Sequence, residues 1–529
     1  MSGKHVLDEK TPSTVDSPPP TTTDASYGQI LKSTSIIGGA QLINMVIGLV
    51  RTKLLASLLG PSGIGLLGIF QAISGLASTA AGLGIHTSGV RDIARFHGDA
   101  NWVDVAKTIT TLKRVSWFTG LAGMFLLMSF SPFISKASFG SYDYTWSIVL
   151  LGTTVLLSNI TASQCAVIQG TRRIGDLARI NVFGALFGTI IATAFYAWFG
   201  TAGIVPSLVA ISLVSLIAST IYARKTYATS VNTTSVYTSW NESWLQSREM
   251  IKFGLAIVAS GVVGAVVTYL TRVMIIREYD LAAAGIFAAA FGLSGMFVQF
   301  VLGAMGADFY PRLTAMSGDH NRMKQLINEQ TEIGLLLSFP GLLATLVFAP
   351  HALTILYTAE FAPAADMLMW FILGCFGRVI SWPLSYSLLA KGQAGLYMVT
   401  EIITQLTHLG LIWIGLNAFG LVGAAAAFTA LYLFYTAAML MLTRQTIGFS
   451  WSANVLREIA WMTPTSIAIF LCVAFLPSSF ALSIGAVTIA IAGNHCLIQL
   501  ATRLGSHHRL ANIIAKLPLI RSATSVRHG

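Results

Sequence analysis

Fourteen apolar runs follow one another along this chain, and they limit what it can fold into. They lie at residues 31–57, 63–87, 112–134, 146–169, 178–199, 202–223, 250–275, 281–306, 332–356, 365–389, 394–416, 420–443, 458–477 and 480–502. Runs of this length match the thickness of a bilayer when they are helical. Only 10% of the residues are charged, too few to cover a soluble protein. The sequence predicts an all-α polytopic membrane protein of twelve to fourteen helices, in which the last two runs are two crossings or one re-entrant pair.

The basic residues indicate an orientation. Of the 32 Lys and Arg, 26 fall on one side of the predicted bundle, in the tails, the alternate loops and the first three residues of the adjoining runs. Two (Lys136 and Arg277) fall on the other side, and four lie well inside apolar runs. Basic residues accumulate on the cytoplasmic side of membrane proteins, so both termini are predicted to be cytoplasmic. A net charge of +11 would also suit nucleic acid, but that needs a basic patch on a soluble face. No nucleic-acid partner is expected.

The chain also repeats itself at an offset near 220 residues. The matches are Lys32 with Lys252, Arg51 with Arg272, Gly170 with Gly392, and Phe199-Gly200-x-x-Gly203 with Phe419-Gly420-x-x-Gly423. The repeat predicts two six-helix bundles. Because six is even, both bundles insert the same way up, as parallel repeats about an axis along the membrane normal. The last two helices lie outside the repeat.

These features divide the chain into six predicted segments. They are a disordered cytoplasmic tail at 1–27, an N-terminal lobe at 28–228, a cytoplasmic linker at 229–249, a C-terminal lobe at 250–445, an extra helix pair at 456–502 and a basic cytoplasmic tail at 503–529.

Motifs for enzymatic chemistry are missing from the sequence. It contains neither a GxxxxGK[ST] phosphate loop nor an HExxH metal motif, and its four Cys lie in apolar runs without metal spacing. The predicted outer loops are short and hold few ionisable groups. We therefore expect a transporter that is not an enzyme, with no catalytic residue, no cofactor and no metal.

Charges inside apolar runs are the candidate binding residues, because each is costly unless it faces water or a partner. In the first run Gln41, Asn44 and Arg51 share one helix face and are predicted to line a cavity. Lys53 points elsewhere, and both cavity lining and the outer interface are open to it. Arg51 has the alternative of snorkelling to the membrane surface.

Two further arginines lie in the C-terminal half. Arg378 is in the middle of its run and is predicted to face the cavity. Arg272 is its companion candidate, although an interfacial ion pair involving the nearby Arg277-Glu278 is an equal alternative. Arginine binds phosphate through two parallel hydrogen bonds, so a positively lined cavity favours an anionic substrate such as a phosphate or pyrophosphate.

A polar stripe marks the eleventh run, where Glu401, Gln405 and His408 follow at i, i+4 and i+7. Glu401 is the one carboxylate placed well inside an apolar run. It is predicted either to pair with Arg378 or to take up protons in a coupling cycle. His408 is a coupling candidate or a packing residue.

Several segments resemble a known family. The stretches at 30–32, 48–56, 59–65 and 82–91, with Pro311-Arg312-Leu313 and Ala390-Lys391-Gly392, resemble the O-antigen and polysaccharide flippases. These belong to the multidrug/oligosaccharidyl-lipid/polysaccharide exporter superfamily. The resemblance covers residues 28–445 and places Arg51 where related lipid II flippases have a cavity arginine.

The resemblance implies a function and a location. It implies alternating access by two bundles and transfer of an undecaprenyl-pyrophosphate-linked oligosaccharide, an O-antigen or exopolysaccharide repeat unit, across the bacterial inner membrane. A polysaccharide polymerase and a chain-length regulator are candidate partners, besides the lipid bilayer. The alternative is a cation-coupled exporter of small molecules or drugs on the same fold. Such exporters typically use carboxylates in the N-terminal lobe, and the first six runs contain none.

Overall fold

A computed structural model describes residues 22–230 and 239–504, which are helical apart from short turns. Most of the predicted tails, 1–21 and 505–529, and residues 231–238 of the predicted linker lie outside the described residues. The first helix begins at Thr22, six residues inside the predicted N-terminal tail. The helix predicted to follow the linker already begins at Trp240, so the second half of the predicted linker, 240–249, is helical.

The helices are numbered in chain order. They are α1 (Thr22–Gly82), α2 (Ile85–Gly98), α3 (Trp102–Phe139), α4 (Thr145–Gly170), α5 (Ile174–Phe199), α6 (Ile204–Ser230), α7 (Trp240–Glu278), α8 (Leu281–Ala315), α9 (His320–Val347), α10 (Ala349–Leu356), α11 (Ala364–Ala390), α12 (Ala394–Ile447), α13 (Ala453–Phe475) and α14 (Ser478–Leu504). Single 3₁₀ turns occupy Gly200–Gly203 and Ala359–Phe361.

The described residues contain eleven helical segments long and apolar enough to cross a membrane. Eight of them cross once. Three cross twice, because α1 turns back at Gly60, α12 turns back at Gly420, and α5 and α6 are joined only by a short turn. This makes fourteen crossings and confirms the predicted fold class. The last pair is two full-length helices, α13 and α14, and not a re-entrant pair.

Turns at an offset of 220 residues share their backbone conformation, which confirms the repeat. Gly200 and Gly420 have φ of 55° and 68°, a region that glycine enters without strain. The turn after α4 and the turn after α11 also match, and there the positive φ falls on Arg172 (57°) and Gly392 (72°). The predicted match of Gly392 with Gly170 is therefore wrong by two residues, since the true counterpart is Arg172.

The two lobes contact each other through residues that are equivalent in the repeat. At the end of the bundle that holds the Gly60 turn, which we name the Gly60 end, the second arm of α1 packs on the start of α8. A Cβ on Gly65 would overlap the carbonyl oxygen of Leu281, and a Cβ on Gly285 would overlap that of Pro61. Pro61 and Leu281, like Gly65 and Gly285, are 220 residues apart. The contact is thus reciprocal about the axis that relates the lobes.

At the opposite end, the first turns of α7 pack on the N-terminal lobe. Ser88 donates a hydrogen bond to the carbonyl oxygen of Met250 over 2.7 Å, and Arg114 donates to Ser243 over 2.8 Å. Gly84, at φ 68°, allows the backbone of α2 to meet the backbone of Gly254. The beginning of α7 is therefore anchored to the lobe that precedes it.

Candidate functional site

A cavity of about 490 Å³ lies in the C-terminal lobe between α7, α8, α11 and both arms of α12. Its arginine, carboxylate, amide and imidazole side chains come from three helices and were all singled out from the sequence. They are Arg272, Arg378, Glu401, Gln405 and His408. Aromatic side chains cover much of the remaining wall, including Trp382, Tyr386, Tyr397, Tyr432 and Tyr435.

Arg378 reaches the cavity from the middle of α11. Its Nη2 donates a hydrogen bond to Oε1 of Gln299 on α8 over 3.0 Å. This neutral partner orients the guanidinium and leaves its charge unbalanced. The predicted ion pair with Glu401 does not form among the described residues.

Arg272 enters the cavity from α7 and lies next to Gly68 on the second arm of α1. Its Nη1 is buried and has no hydrogen-bond partner in the described part of the chain. The alternative of an interfacial ion pair is wrong in this conformation, because the neighbouring Arg277 instead approaches Gly140 of the N-terminal lobe. A buried cation without a partner is costly, so this position suits an anionic ligand.

The stripe predicted on the eleventh run faces the cavity, now as the first arm of α12. The hydroxyl of Tyr435 donates to Oε1 of Glu401 over 2.6 Å. The ring of His408 packs 5.9 Å from that of Phe428. Glu401 is thus held by a neutral donor from the second arm of α12, an arrangement that can keep a carboxylate ready to exchange a proton.

The arginines and the tyrosines lie at different levels of the cavity. Arg272 lies near the Gly60 end, since only six residues follow it in α7, and Arg378 lies about halfway along α11. Tyr386 and Tyr397 lie next to the α11–α12 turn at the opposite end. The cavity therefore has a cationic part towards the Gly60 end, whose wall includes Phe287 and Phe371, and an aromatic part at the opposite end that is lined by tyrosine hydroxyl groups.

The candidates on the first arm of α1 do not line this cavity. Arg51 lies close enough to the Tyr196 hydroxyl on α5 to interact with it electrostatically. Gln41 is exposed, and Oδ1 of Asn44 is buried without a hydrogen-bond partner among the described residues. Arg51 and Arg272 differ in position because their offset is 221 and not 220. One residue turns a helix by about 100°, so the true equivalent of Arg272 is Thr52.

Lys53 occupies a different place from the predicted cavity. Its Nζ donates to the carbonyl oxygens of Tyr357 and Thr354 at the end of α10. The last carbonyls of a helix have no intrahelical partner and attract cations. Lys53 therefore ties the first arm of α1 to the C-terminal lobe at the Gly60 end, which corrects the cavity assignment.

Two buried carboxylates at the edges of apolar runs escaped the sequence analysis. Glu332 on α9 and Glu458 on α13 are 7% and 0% exposed. Glu458 accepts hydrogen bonds from the Trp461 indole over 2.6 Å and from His495 of α14 over 3.2 Å. Glu458 lies at the edge of its run, where a residue facing the interface cannot be distinguished from one facing inward without knowing the neighbouring helix.

The fold and the cavity define a class, the polytopic helical membrane proteins built from two repeated lobes, here with a polar cavity inside the C-terminal lobe. Residues 54–366 match the family described as polysaccharide biosynthesis protein, and the chain belongs to that family. The resemblance to polysaccharide flippases noted in the sequence is thereby confirmed.

Two relatives carry flippase names. The lipid III flippase of Escherichia coli K12 is 22% identical over 413 residues, which cover 77% of this chain and 96% of the relative. The probable low-salt glycan biosynthesis flippase Agl15 of Haloferax volcanii is 21% identical over 374 residues, covering 70% and 74%. These relatives agree with the multi-pass membrane protein that the eleven apolar helical segments of the described residues indicate.

Solved structures share the fold. The lipid II flippase MurJ in an inward closed conformation superposes with a TM-score of 0.66 at 14% identity, covering 88% of this chain and 99% of its own. A multidrug resistance MATE transporter in an inward-facing conformation gives 0.63 at 15% identity, covering 78% and 98%.

Proposed function

We propose that this chain is a flippase that moves an undecaprenyl-pyrophosphate-linked oligosaccharide, an O-antigen or exopolysaccharide repeat unit, across the bacterial inner membrane. The observation that carries the proposal is the pair Arg272 and Arg378. Both line one cavity, and neither forms an ion pair among the described residues. The flippase names of the two relatives support a lipid-linked glycan as the cargo.

A pyrophosphate fits the chemistry of these arginines. Each guanidinium is planar and can donate two parallel hydrogen bonds to phosphate oxygens. Arg272 has a buried nitrogen without a partner, and an anion there would satisfy it. The aromatic part near Tyr386 and Tyr397 then faces the sugars, whose hydroxyl groups suit its tyrosines and serines.

The first arm of α1 has a supporting role in this proposal. Arg51, with Asn44 and Gln41 on the same helix face, forms the contribution of the N-terminal lobe to substrate passage. Lys53 holds the Gly60 end closed through α10.

Alternating access follows from the contacts between the lobes. The backbone contact at Gly65 and Gly285 closes the Gly60 end, and the distribution of basic residues predicts that this end faces away from the cytoplasm. The structure is then closed outward, with the lobes 28–228 and 250–445 as the moving bodies and 456–502 as an added pair. Labelling of single cysteines tests this orientation: a residue within 88–111 should react only from the cytoplasmic side, and external labelling would overturn it.

Complementation of a flippase-null strain tests the anion site. Arg378→Ala and Arg272→Ala should each lower glycan export strongly, because a lost charge-assisted contact costs about 1.5–3 kcal/mol, roughly ten- to hundred-fold in binding. Arg378→Lys should restore export only in part. The matched control is Arg312→Ala, since Arg312 is exposed and pairs with Asp308 at 3.0 Å. Normal export by well-expressed Arg378→Ala and Arg272→Ala would refute the anion site.

A second candidate function is cation-coupled export of small molecules. Glu401, held by Tyr435 inside the cavity, is the observation that favours it, and His408 is its companion in a coupling role. Drug resistance conferred on a sensitive strain, without rescue of glycan export, would select this function. A polysaccharide polymerase and a chain-length regulator remain candidate partners under the first proposal only.

A further inference from the structure

An apolar groove of about 650 Å³ lies outside the cavity, between the second arm of α1 and α3. Ile73 and Ala80 line one side of it, and Ala122 and Phe130 line the other. Among its lining residues only Thr119 and Tyr269 carry a polar side-chain atom. Tyr269 belongs to α7, so the groove crosses the boundary between the two lobes.

Small residues create this groove. A Cβ on Gly123 would meet the side chain of Ala81, so α3 and α1 nearly touch there. Phe130 and Phe133 project into the surrounding lipid, 57% and 71% exposed, and form an outer wall. From Phe118 to Ile134 the groove follows α3 for about 24 Å at helical rise, most of the hydrocarbon thickness of about 30 Å.

A single helix separates the groove from the cavity. Tyr269 lines the groove, whereas Arg272, one turn later on α7, lines the cavity. The second arm of α1 also reaches both, because Gly68 lies against the guanidinium of Arg272. The cationic part of the cavity and the apolar groove therefore lie on opposite sides of α7.

We propose that this groove holds the polyprenyl chain of the lipid-linked substrate while the pyrophosphate lies at Arg272 and Arg378. The inference rests on the proposed function. A hydrocarbon chain cannot follow its headgroup into a polar cavity without displacing the water and polar contacts there, and a pyrophosphate cannot leave that cavity for lipid. The two parts of such a substrate need an apolar and a cationic site within one helix width, and α7 provides this arrangement.

The groove would hold a hydrocarbon chain through close packing contacts and through its position next to the cavity. Hydrocarbon gains little hydrophobic free energy on moving from lipid to a protein groove, so close contacts must hold it. A chain there lies against both lobes, next to the hydrogen bond of 2.8 Å between Ser138 and Tyr269. The pair α13 and α14 is placed differently. It packs on α9, with Gly485 against Val347, and no described residue of α9, α13 or α14 lines the cavity.

Filling the groove tests the proposal. Ala122 and Ala80 are exposed to it, so Ala122→Trp and, separately, Ala80→Trp occupy the space without entering the core. Ala437→Trp, on the lipid-facing side of α12, is the matched control. Binding of undecaprenyl pyrophosphate and of inorganic pyrophosphate is measured for each purified variant. The groove variants should bind undecaprenyl pyrophosphate about ten-fold more weakly, as expected for the loss of roughly ten close carbon contacts, and should bind pyrophosphate as the unsubstituted protein does.

The outcomes separate this inference from the proposed function. Unchanged binding of both ligands by both groove variants would overturn the groove. If the unsubstituted protein binds undecaprenyl pyrophosphate but not inorganic pyrophosphate, and the groove variants lose binding, the arginine site is wrong and the groove is supported. A photoreactive benzoylphenylalanine at Phe130 should crosslink to the polyprenyl-linked glycan in membranes, and one at Val487 of α14 should not. Adducts with phospholipid alone at Phe130 would mean that bulk lipid fills the groove, which also overturns it.

Discussion

Adding a methyl group to Gly65 or Gly285 should force the two lobes apart at the Gly60 end. In the structure each Cβ would overlap a carbonyl oxygen of the other lobe, from Leu281 or Pro61. A backbone oxygen cannot move aside as a flexible side chain can, so the helices must separate. Gly65→Ala and Gly285→Ala should therefore destabilise the closed state while leaving each lobe folded.

The size of the effect follows from the overlap. Overpacking of a tight contact typically costs about 1–3 kcal/mol, which shifts an equilibrium between two conformations about 5- to 150-fold. The two substitutions act on one contact, so the double variant should show less than the sum of the single effects. Gly295→Ala is the matched control on α8, because a Cβ there meets nothing within 4 Å.

Distances between spin labels at Asp143 and Ala359 would measure the separation of the two lobes at the Gly60 end. Both positions are exposed near the Gly60 end, one in each lobe, and the four native cysteines are first replaced. We expect a longer-distance population to grow in Gly65→Ala and Gly285→Ala and to stay at the original level in Gly295→Ala. Identical distance distributions in all variants would refute the idea that this glycine contact holds the end closed.

Three further predictions concern single residues. Arg172→Gly should stabilise the fold by up to about 1 kcal/mol, because Arg172 has φ 57°, a left-handed conformation that costs a non-glycine residue about 1–2 kcal/mol, and the chain entropy lost by glycine offsets only about 0.5–1 kcal/mol of this; an unchanged melting temperature would contradict the prediction. Lys53→Met should remove hydrogen bonds of a charged donor, about 1.5–3 kcal/mol, and open the Gly60 end in the same distance measurement, whereas Lys53→Arg should keep it closed. Glu401→Gln should abolish the pH dependence of transport if this carboxylate, held by Tyr435, carries the coupling proton; normal transport with normal pH dependence would leave it a structural role.

The parts of the fold that depend on short stretches of chain could be predicted. Helix number follows from the apolar runs, and the turns at Gly200 and Gly420 follow from glycines that recur at a fixed offset. The common face of Glu401, Gln405 and His408 needs only the helical period. Each of these features is decided by residues within a few turns of one another.

Contacts between distant segments could not be predicted. Lys53 binds carbonyls 301 and 304 residues away, and nothing near Lys53 marks the end of α10 as its partner. Whether Arg272 joins an interfacial ion pair or lines the cavity depends on the position of Arg277. Arg277 approaches Gly140, the residue that follows α3. A one-residue difference in offset made Arg51 and Arg272 look equivalent, although they face different helices.

The reciprocal contact of Pro61 and Gly65 with Leu281 and Gly285 has a consequence for the ancestry of the chain. Residues that touch their own equivalents lie on a two-fold axis, as in a symmetric homodimer. A protein of six crossings, encoded once and paired with a second copy, would make this same contact between two molecules. In the present chain the same contact lies inside one polypeptide, where the two halves are free to differ. One half could then lose its symmetric partner residues and acquire Arg272, Arg378 and Glu401 on its side alone.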